Sequence, residues 1–154
     1  MPRITAAECR PFFDAVTGIS DPGFGFIAPF FMNPSVRQHV WTGGWYIWRT
    51  IDQASSWTRA SAITPGNGSV SAIAAAPTNS NHVIAGMSDG FLVFNTAALT
   101  SNSATVWANT QPRAAVVSSV TFDPTDATIA YATYETFTGI NVYRSTNSGA
   151  TWVA

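Results

Sequence analysis

Two short patterns recur along this chain, and together they limit the folds that it can adopt. The segment 49–57, RTIDQASSW, is repeated 95 residues later as 144–152, RSTNSGATW. A second pattern, a proline followed by an apolar run, begins at Pro34, Pro77 and Pro124, at spacings of 43 and 47 residues. Periods of this length indicate that one supersecondary unit occurs three times.

Short runs of β-branched and aromatic residues, separated by Gly, Pro, Asn and Asp, predict strands throughout the repeated region. Each repeat contains four such runs, and no long helical periodicity competes with them. The predicted strands are 26–32, 39–43, 46–50 and 57–60 in the first repeat, 70–76, 82–87, 91–96 and 104–109 in the second, and 116–122, 128–133, 140–145 and a last strand from 152 in the third.

Four-stranded antiparallel units with this period are typical of β-propeller blades, which bury their faces against neighbouring blades. The sequence therefore predicts an all-β chain with about three blades, at 26–62, 70–111 and 116–154, the last incomplete. Residues 1–25 are expected to form an entry segment.

The composition excludes several classes of protein. Charged residues make up 10% of the chain, against about 25% in a typical globular domain, so solubility must depend on Ser, Thr, Asn and Gly. The net charge is −1 and all seven basic residues are Arg, which argues against a nucleic-acid partner. No apolar run approaches the length of a membrane span, and the lone Cys9 excludes an intrachain disulfide.

His39 and His82 occupy equivalent positions at the start of a strand, which favours packing over metal ligation. We therefore expect neither a metal nor another cofactor.

The repeated segments 50–57 and 145–152, called the box turns below, have a spacing with a physical reason. The side chain of Asp52 or Asn147 can accept hydrogen bonds from backbone N–H groups further along the turn, and Gly149 can supply the positive φ that a tight turn requires. Ala54 stands where the later copy has Gly149. A left-handed Ala costs about 1–2 kcal/mol, so the first turn is expected to differ. In the second repeat Trp107 follows only after a longer loop.

The box turns resemble the Asp-box, or bacterial neuraminidase repeat, of β-propellers in sialidase-like and sortilin-like proteins. The resemblance covers about residues 26–154. It implies that each box turn joins the third and fourth strands of a blade, at the end opposite the ligand site, and that its residues are structural. Those residues are Thr50, Asp52, Trp57, Ser145, Asn147, Gly149 and Trp152.

A ligand site is then expected among the loops that enter each blade and those that join its second and third strands. Carboxylates there are candidates for a general acid and base, an aromatic ring can stack on a sugar, and an arginine can pair with a carboxylate. Asp21 and Asp89 also fit ordinary turn chemistry, and Trp45 also fits packing between blades. The catalytic candidates are Glu135, Asp89 and Asp21, and the ligand-binding candidates are Trp45, Arg113 and Asn67.

The catalytic residues of related families are not matched. Asp-box sialidases carry three arginines and a Tyr–Glu pair, whereas this chain has one suitable arginine. Propellers that cleave xyloglucan use acidic residues in an early-blade loop, where this sequence has TGGW at 42–45. The resemblance thus favours a binding or scaffold module for a carbohydrate or protein ligand. The alternative is part of a secreted glycoside hydrolase whose catalytic set is incomplete here.

Propellers close with about four to eight blades. We therefore expect this chain either to be continued by further blades or to form a homo-oligomer that completes the ring. The resemblance and the composition favour a secreted or extracellular location.

Overall fold

The computed structural model describes residues 18–154, so Cys9 and most of the entry segment lie outside the described residues. The described part contains eleven strands and a short 3-10 turn at Ala98–Thr100. The strands are β1 (Phe30–Met32), β2 (Val40–Gly43), β3 (Ile47–Thr50), β4 (Thr58–Arg59), β5 (Val70–Ala76), β6 (Asn79–Met87), β7 (Leu92–Asn95), β8 (Ala108–Thr110), β9 (Val117–Phe122), β10 (Ala130–Tyr134) and β11 (Val142–Ser145).

The strands form three antiparallel sheets, each made of strands that are consecutive in the chain. The orders are β1-β2-β3-β4, β5-β6-β7-β8 and β9-β10-β11, and the third sheet gains an edge contact through an antiparallel bridge between Arg144 and Val153. The prediction of an all-β chain with about three blades is confirmed. We call these sheets blades 1, 2 and 3.

Two strands begin four residues later than predicted, the largest differences at a strand start. β1 begins at Phe30 instead of residue 26, and Pro29 directly before it lacks the N–H group that a strand ladder needs. β8 begins at Ala108 instead of residue 104. Before it, Asn102 and Thr105 form local side-chain bonds with the backbone, such as Ala104 N–H to Asn102 Oδ1 (2.9 Å), and such bonds compete with ladder pairing.

The core lies between the blades, not within a single sheet. Each blade has a forward face, towards the next blade in the chain, and a rear face, towards the previous one. Trp41 and Ile47 on the forward face of blade 1 pack against the rear face of blade 2, where Trp107 meets Trp41 edge to face at 6.2 Å. A second cluster joins the forward face of blade 2, including Ile84, to blade 3.

Polar bonds reinforce both contacts between blades. Arg49, on β3, donates to the carbonyl oxygens of Ala98 and Ser101 in blade 2, both at 2.8 Å. The imidazole Nδ1 of His82 lies 3.0 Å from the Ala127 carbonyl oxygen in blade 3. These two residues therefore help to fix the relative positions of the blades.

Candidate functional site

The antiparallel order places the loops of each blade at two ends. The loops that enter a blade and those that join its second and third strands lie at one end, the upper surface. The box turns lie at the other end, the lower surface. All six candidate site residues from the sequence fall on the upper surface, but they serve different purposes there.

Asp21 ties the entering loop of blade 1 to the loop between β2 and β3. Its Oδ1 accepts the N–H groups of Gly23 (2.9 Å) and Trp45 (3.0 Å). Its Oδ2 accepts the Tyr46 N–H and the indole Nε1–H of Trp48, both at 3.0 Å. Four donors within the chain thus surround this carboxylate, and both of its oxygens are already engaged.

Asp89 makes the corresponding connection in blade 2. It lies in the loop between β6 and β7 and binds the entering loop before β5. Its Oδ2 accepts the N–H groups of Asn67 and Gly68, both at 3.0 Å. Its Oδ1 is buried and has no hydrogen-bond partner in the described chain. The backbone carbonyl of Asp89 accepts a bond from the Gln111 side chain at 3.0 Å.

Arg113 connects the two loops of blade 3, but as a hydrogen-bond donor, whereas Asp21 and Asp89 are acceptors. Its Nη1 donates to the Ile140 carbonyl oxygen at 2.9 Å, and its Nη2 donates to the Thr138 carbonyl oxygen and to the Thr136 hydroxyl. One charged side chain therefore bridges the entering loop and the second loop in every blade. We call Asp21, Asp89 and Arg113 the loop clamps.

Each loop clamp lies against a glycine with no room for a side chain. A Cβ on Gly44 would lie 2.8 Å from Asp21 Oδ1, one on Gly68 2.6 Å from Asp89 Oδ1, and one on Gly139 2.8 Å from Arg113 Nη1. Contacts below 3.0 Å force a shift of the neighbouring atoms. A glycine in one loop and a charged residue in the other is thus a sequence signal of a clamp, and the sequence reasoning did not use it.

Trp45 and Asn67 line the same groove on the upper surface, between blades 1 and 2. The groove has a volume of about 290 Å³ and is also lined by Ile63, Thr64, Gly66 and Gly68. Trp45 is 43% exposed and Ile63 65% exposed. The Thr64 hydroxyl donates to the Trp45 carbonyl oxygen at 3.0 Å, whereas the Asn67 side-chain amide is exposed and bonds to no described residue. Sequence reasoning missed Ile63, because a single isoleucine in a turn-rich segment gives no pattern.

Glu135 stands apart from this groove, in the loop after β10. Its side chain is exposed and its carboxylate bonds to no residue in 18–154. The neighbouring Tyr134 is buried and donates to the Gly90 carbonyl oxygen at 3.2 Å. Burial, together with the neighbouring Tyr143, raises the pKa of Tyr134. The phenol therefore stays protonated, as suits a contact between blades.

The lower surface carries the box turns. In blade 3, Ser145 Oγ accepts the N–H groups of Asn147 (3.3 Å) and Gly149 (2.9 Å), and Asn147 Oδ1 accepts the Thr151 N–H at 2.8 Å. The Trp152 indole donates to the Gly149 carbonyl oxygen at 2.9 Å. These bonds close the turn and attach the tryptophan to it.

The first box turn has the same geometry, so the expectation that it differs is wrong. Thr50 Oγ1 accepts the N–H groups of Asp52 (3.2 Å) and Ala54 (3.0 Å), and Asp52 Oδ1 accepts the Ser56 N–H at 2.9 Å. Ala54 adopts φ 67° and Gln53 φ 61°. The turn keeps its hydrogen bonds at the cost of a left-handed alanine.

Asp52 is charged at all but the lowest pH. Hydrogen bonds from the side chains of Ser56 and Thr50 lower the pKa of Asp52 to about 2. Trp57, which follows this turn, is half-buried.

The described residues contain no group of three His, Cys, Asp or Glu side chains placed to hold a metal ion. Burial, and secondly the charge of Arg49, lower the pKa of His39. Within residues 18–154 there is also no helix long and apolar enough to cross a membrane.

Several solved structures share this arrangement of blades, whereas no protein-family model and no curated protein matches the sequence. A GH74 enzyme from Niastella koreensis superimposes with a TM-score of 0.62 and 19% identity, over 82% of this chain. The GH74 xyloglucanase from Xanthomonas campestris gives 0.61 and 17% identity over 81%. YCF48 bound to D1 peptide gives 0.60 and 15% identity over 88%.

The fold is that of a β-propeller. At these identities the likeness shows the fold alone. This chain spans 22% of each of the two GH74 enzymes and 42% of the YCF48 chain. The three blades therefore correspond to part of those larger propellers.

Proposed function

We propose that this chain is a binding module of an Asp-box type β-propeller, and that it holds its ligand in the groove lined by Trp45, Ile63 and Asn67. The observation that carries this proposal is the contrast on the upper surface. The charged candidates Asp21, Asp89 and Arg113 are bonded within the chain, whereas two large apolar side chains beside a free amide are exposed in one groove.

Binding is favoured over catalysis by the state of the carboxylates. Glycoside hydrolysis of the common type needs two carboxyl groups that face the scissile bond. Asp21 and Asp89 face backbone N–H groups instead. Of the acidic residues described on the upper surface, Glu135 alone has an unbonded carboxylate, and one such group does not make an acid and base pair.

A protein segment is favoured over a sugar as the ligand. Sugars present many hydroxyl groups, and a sugar site needs several free polar side chains beside the aromatic ring. Of the residues that line the groove, Thr64 has its hydroxyl already bonded, so Asn67 supplies the one free polar side chain. Exposed Trp and Ile side chains fit an apolar anchor of a peptide. That a neighbour of this fold is bound to a peptide supports the same view.

Selection from a displayed library of random peptides, followed by calorimetry of the selected peptide, tests the proposal. We expect Trp45→Ala to weaken the binding of that peptide at least about tenfold, because a bound peptide would bury the Trp45 ring as an aromatic anchor. The midpoint of unfolding should not change. Phe137→Ala is the matched control, because Phe137 is fully exposed on the same surface but lies in the loop between β10 and β11, outside the groove.

The outcomes separate the alternatives. Equal losses for the two variants would show that the groove is not the site. Unfolding of Trp45→Ala would show that Trp45 is a packing residue. If xyloglucan oligosaccharides bind and no peptide is selected, the ligand of the groove is a carbohydrate and not a protein segment.

The second candidate function is part of a secreted glycoside hydrolase, and the likeness to two GH74 enzymes favours it. Hydrolysis of xyloglucan or of chromogenic glycosides by the chain would support it. The activity should then fall in Glu135→Gln and Asp89→Asn variants. Activity that neither substitution changes would exclude both residues as the catalytic acid and base.

A further inference from the structure

Asn67 has a side chain that is free to react with its own backbone. It is the only asparagine of the chain that a glycine follows, and its exposed amide bonds to no described residue. Asn147, in the second box turn, is held instead by two bonds to Thr151, at 2.9 and 2.8 Å. The Asn67 side chain can thus turn towards the backbone nitrogen of Gly68.

A carboxylate from another loop holds that nitrogen. Asp89 Oδ2 accepts the N–H groups of Gly68 and Asn67, both at 3.0 Å. Gly68 is buried against the same side chain, since an added Cβ would lie 2.6 Å from Asp89 Oδ1. The next residue is bonded to the same loop, because the Ser69 N–H donates to Ser88 Oγ at 3.0 Å. Asp89 therefore fixes the Gly68 nitrogen at the border of the groove.

An asparagine that precedes a glycine loses ammonia when the glycine nitrogen attacks the carbonyl carbon of the asparagine side chain. The attack needs a nitrogen that has given up its proton, and glycine has no Cβ to obstruct it. A carboxylate that accepts the N–H stabilises the protonated nitrogen and repels the anion that forms when the proton leaves. The bond from Gly68 to Asp89 therefore opposes the first step of a reaction that the free Asn67 side chain permits.

We propose that Asn67 is a deamidation site under the control of Asp89, and that it reacts when the Gly68 N–H leaves the carboxylate. The Gly68 nitrogen gives its proton to water and forms a bond to Asn67 Cγ. The Cγ–Nδ2 bond breaks, and ammonia leaves with a proton taken from water. A second water molecule opens the resulting succinimide, at Cγ to give aspartate or at the main-chain carbonyl to give isoaspartate. Water reaches the site, because Asn67 and Gly68 line the open groove.

The reaction changes both the clamp and the groove. The nitrogen of the succinimide carries no proton, so Asp89 loses its bond to Gly68 as soon as the ring forms. In the isoaspartate form the main chain is one carbon longer, and the two N–H groups that share Asp89 Oδ2 lie further apart. Both products add a carboxylate to a groove whose lining residues are uncharged. Deamidation thus makes the groove anionic, and the isoaspartate form also loosens the loop that borders it.

Peptide mapping of the full chain by mass spectrometry, after storage at mildly alkaline pH, tests the proposal. The appearance of separated aspartate and isoaspartate forms gives the reaction rate at position 67. A synthetic peptide of residues 62–70 supplies the rate without Asp89. We expect the native chain to react at least about fivefold more slowly than this peptide, because a charge at hydrogen-bond distance opposes the anion by about that factor even in water. Asp89→Ala and Asp89→Ser should each recover most of the difference.

Arg113→Gln is the matched control, because it removes the loop clamp of blade 3 and leaves Asp89 in place. Its rate at position 67 should equal the native rate, and a rise as large as in the Asp89 variants would overturn the proposal by showing that general unfolding exposes Asn67. Circular dichroism checks that each variant is folded, and the comparison of the native chain with the peptide needs no variant.

Two other results would overturn the proposal. A native rate equal to that of the peptide would show that the fold does not restrain Asn67. Slower reaction in the Asp89 variants than in the native chain would show that the carboxylate assists the attack as a base. Asn67→Gln should remove the modified peptide, since the longer side chain would have to close a larger ring, and product that persists in this variant would place the reaction elsewhere.

Discussion

Replacement of Asp21 by Asn is the most direct test of the loop clamps. It keeps the shape of the side chain, removes its negative charge and replaces one acceptor oxygen by an NH₂ donor. The native carboxylate accepts four hydrogen bonds, two on each oxygen. An Asn side chain has one acceptor oxygen, so two of the four donors lose their partner and face an NH₂ group. We expect the amide oxygen to remain with the indole of Trp48, which is 7% exposed.

Hydrogen bonds to charged groups contribute about 1.5–3 kcal/mol each when buried, and less in a partly solvated loop. Loss of the bonds to Gly23 and Trp45 should therefore lower the free energy of unfolding by about 2–3 kcal/mol. This is a large fraction of the 5–15 kcal/mol that is typical of a domain.

Urea unfolding followed by circular dichroism, at one fixed protein concentration, measures the effect through the midpoint at constant m-value. Glu135→Gln is the matched control, since its carboxylate is unbonded in the described chain, and it should stay within about 0.5 kcal/mol of the native protein. An Asp21→Asn variant as stable as this control would refute the clamp. Loss of ligand binding without loss of stability would show instead that Asp21 contacts the ligand.

Four further predictions concern the box turns of the lower surface and the contact between blades 1 and 2. Ala54→Gly should stabilise the chain by about 0.5–1 kcal/mol, because glycine removes the left-handed strain at φ 67° and loses part of that gain through the entropy of the unfolded chain. Gly149→Ala should destabilise the chain by at least about 1–2 kcal/mol, because Gly149 has φ 97° and an added Cβ would lie 3.1 Å from the Cδ1 methyl of Ile84. Thermal unfolding measures the effect of both substitutions. The pKa of Asp52 is lowered in the folded chain, so the stability that its carboxylate contributes is complete above about pH 4 and is lost as the pH falls towards about 2. The free energy of unfolding should therefore depend less on pH in this window in Asp52→Asn. A pH profile equal to that of the native chain would contradict the role of the Asp52 carboxylate in the turn. Arg49→Met should cost about 2–3 kcal/mol, because it leaves the two carbonyl groups of blade 2 without their charged donor, and a urea midpoint equal to the native one would show that the blades do not depend on this bond.

The sequence indicated the architecture well because a repeat states its period directly. The proline-led runs mark the second strand of each blade and the box turns recur in blades 1 and 3, so three blades follow from counting. Strand ends were less certain where local bonds compete with the ladder, as at Asn102 and Thr105, or where Pro29 interrupts it.

The candidate site was predictable as a surface but not residue by residue. Topology alone placed Asp21, Asp89 and Arg113 among the upper loops. Their bonds to the backbone of a second loop depend on contacts over 21 to 27 residues. A carboxylate that accepts backbone N–H groups and one that awaits a substrate look alike in a sequence.

The sequence by itself determined the period, the strand-rich blades and the chemistry of the turns, because these depend on residues that are near one another in the chain. Tertiary structure alone decided which polar groups are already bonded and which apolar side chains remain uncovered. Tyr131 and Ile84 occupy the same repeat position, yet one is exposed and the other is buried. The difference lies in whether another blade packs against that face, and hydrophobic burial depends on such a neighbour, not on local sequence.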